Sequence, residues 1–563
     1  MPFQVSPGVN VTEVDLTTII PAVSTSIGGF AGQFQWGPAD VVTTVDSSDT
    51  LVSLFGKPND TNFVSFFSAA NFLDYTNNLK LVRAVNVSSY NASTNSATVL
   101  IVQNDDIDVD TNADHFIIAR YPGTYGNGLE VEVCDSETAF GAWSSNTLFD
   151  AAPGNSTFGT SKGTANDELH ILVKDSNTGT FTGTAGSTLE KYPFLSKASD
   201  AKDSQGKSIY FKNVINQQSG YIRVLDPTSG DGPTTTTDWG VASVTGKAYG
   251  INDAPYANTL AGGVSPAPIK GDYITAFDLL SDADKVDVSL LITGGHVKEV
   301  VNHVIDNIAD TRKDAVAFLS PEYADLSVAS DSSKLTNVLD HRNAQINKNT
   351  SYAFMDSGWK YQYDKFSDKY RWVPTNPDVA GLCARTDNQR DAWWSPAGYN
   401  RGQIKNVVKL AYNPKKAHRD DLYRAGVNPI VTFTGEGTVL FGDKTLLKRP
   451  SAFDRINVRR LFIVLEKAIS TAAKFSLFEF NDEFTRAQFR NMVEPFLRDI
   501  KGRRGINEFK VVCDETNNPG SVIDRNEFVG DIYIKPARSI NFIQLNFIAV
   551  STGVDFSEVV GKF

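Results

Sequence analysis

Cysteine is scarce: the chain has three in 563 residues, Cys134, Cys383 and Cys513. An odd number so widely spaced builds no disulfide framework, which points to a reducing compartment. Long apolar runs are missing too. No stretch reaches the ~18 residues of an ordinary transmembrane helix, so direct membrane insertion is not expected. The opening MPFQVSPGVNVTEVDL has neither a basic region nor an apolar core, and no signal peptide is expected. The N-x-S/T triplets at Asn10, Asn86 and Asn91 then read as coincidence.

Patterns that carry chemistry are equally thin. The six histidines form no ligand cluster, and His296 and His303 have no third ligand near them in sequence. No metal or other cofactor is expected. GEGTVLFG (435–442) lacks the G-K-[S/T] ending of a phosphate loop and reads as a turn between strands. There is no G-x-S-x-G elbow, so nothing supports a serine hydrolase. WWSP (393–396), with Tyr399, reads as core or interface.

What is present is ordinary globular composition, 41% hydrophobic and 21% charged, in a chain long enough for three or four domains. The net charge of −12 is uneven. Residues 441–563 carry 19 Lys+Arg against 16 Asp+Glu, whereas residues 101–250 carry 10 against 19. So acidic a body argues against nucleic acid as a partner.

Along the chain, residues 1–20 read as an extended arm between Pro7-Gly8 and Pro21, a tail or a strand waiting for a sheet edge. Residues 21–95 and 255–415 read as one middle α/β domain. In it SSDTLVSLFG is a short capped helix, NFVSFFSAANFLDYTNN an amphipathic helix, and LKLVRAVN and VDVSLLITGG buried strands. Between them, 96–254 is rich in Ser, Thr, Gly, Asn and Asp. Its short runs HFIIAR, LEVEVCD, LHILVKD, YIRVLD and WGVASVTG predict an inserted all-β surface domain.

Residues 416–563 form the last unit. Its first helix runs from a Ser451 or Asp454 cap, with Ile463 and Val464 adding apolar surface off the main stripe. A second helix follows an Asn481 cap, with Phe489, Met492, Val493, Phe496, Leu497 and Ile500 on its core face and Pro495 as a kink. Arg486, Arg490, Arg498 and Lys501 recur near a spacing of four on the other side, a solvated face or a dock for acidic protein. The strands EFKVVCD, DIYIKP and INFIQLNFIAV close the chain. A strand as apolar as the last must be covered or paired with another chain. The fold class expected is α+β, mixed and multi-domain: two α/β-type core domains, an inserted β-rich outer domain, and extended N- and C-terminal arms.

Five stretches carry a resemblance. They are SPGVNVTEVDLTTIIPAVSTSIGGFAGQFQWGP with LVSLFGKP, YPGTYGNGLEVEV (121–133), WWSPAGYNRGQIKNVVKLAYNP (393–414), LYRAGVNPIVTFTGEGTVLFGDKTL (422–446), and DIYIKPARSINFIQLNFIAVSTGVDF. In this order they resemble the contractile tail sheath proteins of bacteriophages, nearest the T-even type of long-tailed phage; 135–250 matches nothing specific. The resemblance implies a structural subunit with no enzymatic activity, located in the virion and assembled in the host bacterial cytoplasm. It implies hexameric rings stacked in a helix around a tail tube, between a baseplate and a tail terminator, that contract to drive the tube through the host envelope. It further implies that the terminal arms join the C-terminal sheets of neighbouring copies. Carried onto this chain, the linking strands would include Val9, Val11, Val14 and Leu16 at one end and Gln544, Leu545, Phe547, Ala549 and Val550 at the other. Arg486, Arg490, Arg498 and Lys501 are the candidate tube-facing stripe. The alternatives are a sheath subunit of a bacterial contractile injection system (R-type pyocin or type VI secretion-like), a soluble multi-domain enzyme with a β accessory domain, and a binding role for the β-rich insertion.

Overall fold

The computed structural model describes residues 24–105, 114–226, 228–541 and 544. Pro21–Thr471 make one compact unit, and the described residues from 472 onward belong to a second.

Strands Gly28–Gly32 (β1), Val42–Val45 (β2), Leu79–Arg83 (β3), Leu290–Ile292 (β4), Val316–Leu319 (β5), Ala353–Asp356 (β6) and Val427–Asn428 (β7) form the sheet of the first unit. Their order is β7-β6-β5-β4-β1-β3-β2, parallel throughout except at the β2 edge. β4, β5 and β6 are buried along their whole length, as parallel strands covered on both faces must be. Glycine shapes the middle of this sheet. A Cβ on Gly28 would stand 2.4 Å from the Phe72 ring, so helix Phe63–Leu73 can lie directly on β1. That helix is not amphipathic as expected: Ser65–Leu73 are all buried, because it packs against both β1 and helix Asn376–Gln389. The short helix Ser48–Phe55 starts and stops where its sequence says. Ser47 Oγ accepts from Thr50 N at 3.1 Å, and Gly56 ends it at φ 79°.

A buried polar network sits where β5 and β6 end. Ser320 Oγ donates to Asp356 Oδ2 at 2.8 Å, and Gly358 N donates to Oδ1 at 2.8 Å. Thr375 Oγ1 lies 2.7 Å from Asp356 Oδ1 and 2.6 Å from the Gly358 carbonyl. One hydroxyl proton cannot serve two acceptors. With that proton on the carbonyl, the Asp356 carboxyl itself donates to Thr375, consistent with burial pushing Asp356 up to about 7. Between the ordinary aspartate value and about 7 the folded chain holds a proton that the unfolded chain has lost. Stability contributed here therefore falls as pH rises through that window, by at most about 1.4 kcal/mol per pH unit. Urea unfolding at about pH 5 and about pH 7.5 should show the fall, and Asp356→Asn should remove that share of it.

Among the described residues the insertion has two sheets of its own. Glu168–Asp175 pairs antiparallel with Thr188–Ser196 and Leu129–Cys134, and Tyr256–Thr259 completes the order; Ile117–Ala119 pairs with Ile222–Val224. It is not all-β, since helices Glu137–Ala142, Thr157–Lys162 and Phe211–Gln218 lie within it. WGVASVTG is not a strand either. Gly240 and Gly246 adopt φ 86° and 81°, and Trp239 is drawn into the core, leaving Val241 and Val244 exposed. The insertion is closed at its base by paired backbone. Tyr90 and Val264 exchange both hydrogen bonds, at 3.0 and 3.1 Å, as do Ser93 and Ala261, at 2.8 and 3.0 Å.

The expected boundary at 415 and 416 is not where the structure divides. β7 lies beyond it yet pairs with β6, and Ile430–Phe433 then folds back on Gly437–Leu440. GEGTVLFG is thus a hairpin turn and second strand, with Gly435 and Gly437 at φ 86° and 85°. Contacts divide the chain at 471 and 472, near the end of helix Ile456–Ala473. In that helix Ile463, off the expected stripe, is buried in the main core.

Candidate assembly site in the C-terminal unit

The second unit is built on helix Glu483–Gly502. Its cap is Asp482, one residue later than expected, whose carboxylate accepts from Thr485 N at 2.8 Å. Pro495 does not break it: the helix runs on continuously, and Val493 and Leu497, on either side of the proline, are both fully buried. The helix packs against strand Ile506–Val512, which pairs antiparallel with Asp531–Pro536. Phe528 closes edge-on to Phe489 with ring centroids 5.5 Å apart.

Among the described residues this sheet has two strands and no more. Each strand therefore has one flank without a strand partner there, and two-stranded sheets are marginal by themselves. Rows of backbone N–H and C=O along such flanks are templates for an added strand. Val9, Val11, Val14, Leu16, Leu545, Phe547, Ala549 and Val550 lie outside the described residues. Gln544 is described, is exposed and belongs to no helix or strand.

The basic stripe is divided. Arg486 is buried and donates to Asn481 Oδ1 at 2.8 Å, and the half-buried Arg490 donates to the Cys513 carbonyl. Arg498 and Lys501 are exposed, Arg498 lying 3.9 Å from Glu494. The reason is helical pitch. A spacing of four advances about 40° per step, so Arg486 and Arg498 lie about 120° apart, and Arg486 shares the face of Phe489 and Val493.

Sequence reasoning passed over the most exposed apolar segment. In FSLFEFNDEF (475–484), Phe475, Leu477, Phe478, Phe480 and Phe484 are between 62% and 105% exposed. Phe478 is held outward at φ 70°, a costly backbone for a bulky residue. A groove of about 300 Å³ lined by Phe475, Glu479, Phe489 and Met492 adjoins it. Four phenylalanines at roughly 150–250 Å² each exceed the scattered apolar exposure of a monomer surface, which marks an interaction site. The signal was present in the sequence: five large apolar residues in ten, on neither the helical nor the strand period.

No group of three His, Cys, Asp or Glu among the described residues could hold a metal ion. His296 is half-buried with its Nε2 2.8 Å from the Ala31 carbonyl, and desolvation of the ring pushes it down to about 4; His303 pairs instead with Asp278 at 2.6 Å. Among the described residues no helix is long and apolar enough to cross a membrane.

Residues 270–446 match the family described as "Phage tail sheath protein central domain", and residues 448–549 match "Phage tail sheath C-terminal domain". The tail sheath protein of Vibrio phage KVP40 is 34% identical, with 99% of each chain covered. That of Enterobacteria phage T4 is also 34% identical, again with 99% of each covered. The chain belongs to the phage tail sheath proteins. Its fold is shared with the anti-feeding prophage helical sheath, solved in a contracted state, at TM-score 0.52 and 13% identity, covering 97% of this chain and 99% of that one. As a tail sheath protein it is matched in the C-terminal family over the helix Glu483–Gly502 and both strands described above.

Proposed function

We propose that this chain is the structural subunit of a contractile phage tail sheath, stacked as hexameric rings around a tail tube between a baseplate and a tail terminator. On contraction the rings drive the tube through the host envelope. The sheath is part of the virion and is assembled in the host bacterial cytoplasm. The observation that supports this most is the two-stranded sheet Ile506–Val512/Asp531–Pro536, which has open flanks among the described residues of a chain 34% identical to tail sheath proteins. On this reading residues 1–20 and the segment from Gln544 onward are linking arms that add strands to such sheets in neighbouring copies. The insertion around 96–254 is an outer decoration. Phage relatives at 34% identity favour a phage sheath over a contractile injection system, since the sheath complex of an extracellular contractile injection system shares 13%. Of the basic stripe, the exposed Arg498 and Lys501 are the residues offered to the tube, since Arg486 and Arg490 are engaged within the unit. Electron microscopy of the purified chain tests the proposal. Striated tubes or six-fold rings support it, and a persistent monomer at all concentrations refutes it.

The 475–484 segment gives a second test. Phe478→Ser with Phe480→Ser should leave unfolding of the free subunit within about 0.5 kcal/mol of wild type, because both rings are exposed. Assembly should weaken by about 2 kcal/mol or more, the loss expected when interface anchors are truncated. The critical concentration for tube formation, measured by sedimentation, checks this.

A further inference from the structure

Thr25 stands just ahead of β1, where the N-terminal segment enters the core, and it is gripped by an ion pair that joins two helices. Asp387 is near the end of helix Asn376–Gln389, and Arg460 is in the second turn of helix Ile456–Ala473. The Arg460 guanidinium meets both carboxylate oxygens of Asp387, at 2.8 Å from Nη1 to Oδ1 and more closely from Nη2 to Oδ2. Both side chains are buried. Thr25 is tied in twice: its carbonyl accepts from Arg460 Nη2 at 3.2 Å, and its hydroxyl donates to Asp387 Oδ2 at 2.6 Å. Arg460 Nη1 also reaches the Cys383 carbonyl at 3.4 Å.

A buried ion pair is weak evidence for stability, because its desolvation offsets most of the attraction. What a planar fork supplies is geometry, holding one carboxylate and one carbonyl in a fixed relation. Here that geometry fixes a chain exit. β1, which follows, lies between β3 and β4, so a pull along it is shared by the ladders on both sides. The link from Thr25 to β1 has much less: Ile27 O accepts from Ser289 N and Leu290 N. On the arm side of Thr25, Ser289 Oγ makes only a long contact to Ser24 O at 3.4 Å. The helix bearing Arg460 is also the one that runs on past Thr471, about three turns later, into the C-terminal unit.

We propose that Arg460, Asp387 and Thr25 form a tension clamp. It fixes where the N-terminal arm leaves the core and passes the pull from a neighbouring subunit directly to the helix that leads to this chain's own C-terminal unit. The proposal rests on the reading of residues 1–20 as a linking arm. The load between successive copies then runs along one helix and bypasses the rest of the core and the insertion.

The test uses phage particles carrying full-length sheath with Thr25→Val, which removes only the hydroxyl bond, or Arg460→Lys, which keeps the charge and loses the fork. Subunit unfolding is measured alongside. For Thr25→Val the expected result is a subunit that folds with a loss in unfolding stability no larger than one hydrogen bond and still assembles the extended sheath. After urea-triggered contraction its sheaths should show breaks by electron microscopy about tenfold more often, the factor expected when a hydrogen bond to a charged group is lost. A folded Thr25→Val subunit that cannot assemble also supports a fixed exit. Sheaths of both variants that stay continuous through contraction overturn the clamp. If Arg460→Lys does not fold, Thr25→Val alone decides. A chain lacking residues 1–20 that still assembles overturns the arm reading instead, so the two failures are distinguishable.

Discussion

A chain lacking residues 1–20 folds, stays in solution and no longer forms tubes. Folding survives because β1 begins at Gly28 and the stretch before it is already held at Thr25, so the seven-stranded sheet keeps every strand. Assembly fails because each neighbouring two-stranded sheet loses the strand proposed to complete it. An added strand of ordinary length makes about five main-chain hydrogen bonds at about 1 kcal/mol each, enough to change a contact constant by more than a thousandfold. The loss is repeated at every subunit of a polymer. Sedimentation and microscopy at concentrations where the full chain forms tubes provide the measurement; tubes at full yield from the truncated chain would remove the arm from the mechanism.

Lys360→Met destabilises the first unit by about 3–5 kcal/mol, the usual cost of leaving one member of a buried ion pair alone. Lys360 lies on strand Trp359–Asp364 and Asp378 on helix Asn376–Gln389. Their charged atoms are 2.8 Å apart with both side chains almost fully buried. Lys360 also donates to the Lys405 carbonyl at 2.9 Å, and the Tyr75 hydroxyl donates to Asp378 Oδ1 at 3.1 Å. Burial already holds the Asp378 carboxyl above the usual carboxylate range. Without the ammonium that group takes up a proton. Met fills the space of the lysine stem but offers nothing to Asp378 or to the Lys405 carbonyl. Denaturant unfolding of the arm-deleted chain, which avoids polymerisation, gives the number; a loss below about 1 kcal/mol would mean the pair is not isolated from water.

Much of the first unit was legible because its strands are short, continuous apolar runs whose neighbours are marked by Gly, Pro and Ser. β3 and β4 fall where LKLVRAVN and VDVSLLITGG place them, and Ser47 and Gly56 mark one helix at both ends. Burial on all sides was harder to read. Helix Phe63–Leu73 has serines and Asn71 that imitate a polar face, yet all of them are buried; Ser68 Oγ, for one, is satisfied by the Val64 carbonyl at 2.7 Å. Strand Thr188–Ser196 was missed because TLEKYPFLS carries charges and a proline, which its exposed and half-buried early residues tolerate. In the second unit, near-four spacing suggested one basic face, but its drift around the helix sends Arg486 inward and Arg498 outward. The clamp at Thr25 could not be read at all, since its three members are separated by 362 and 73 positions in sequence and only the fold brings them together.

The paired backbone at the base of the insertion has a consequence for how such particles diversify. Because Tyr90 meets Val264 and Ser93 meets Ala261 at hydrogen-bond distance, everything between leaves and returns through one doorway a single strand-pair wide. Whatever hangs there is a cassette. Its other ties to the sheet unit are local, among them the bond from Arg83 to the Pro122 carbonyl at 2.7 Å and the packing of Trp36 against Tyr121, Tyr125 and Phe181. Lineages that keep such anchors can enlarge, trim or exchange the rest, and thereby change what the outside world meets.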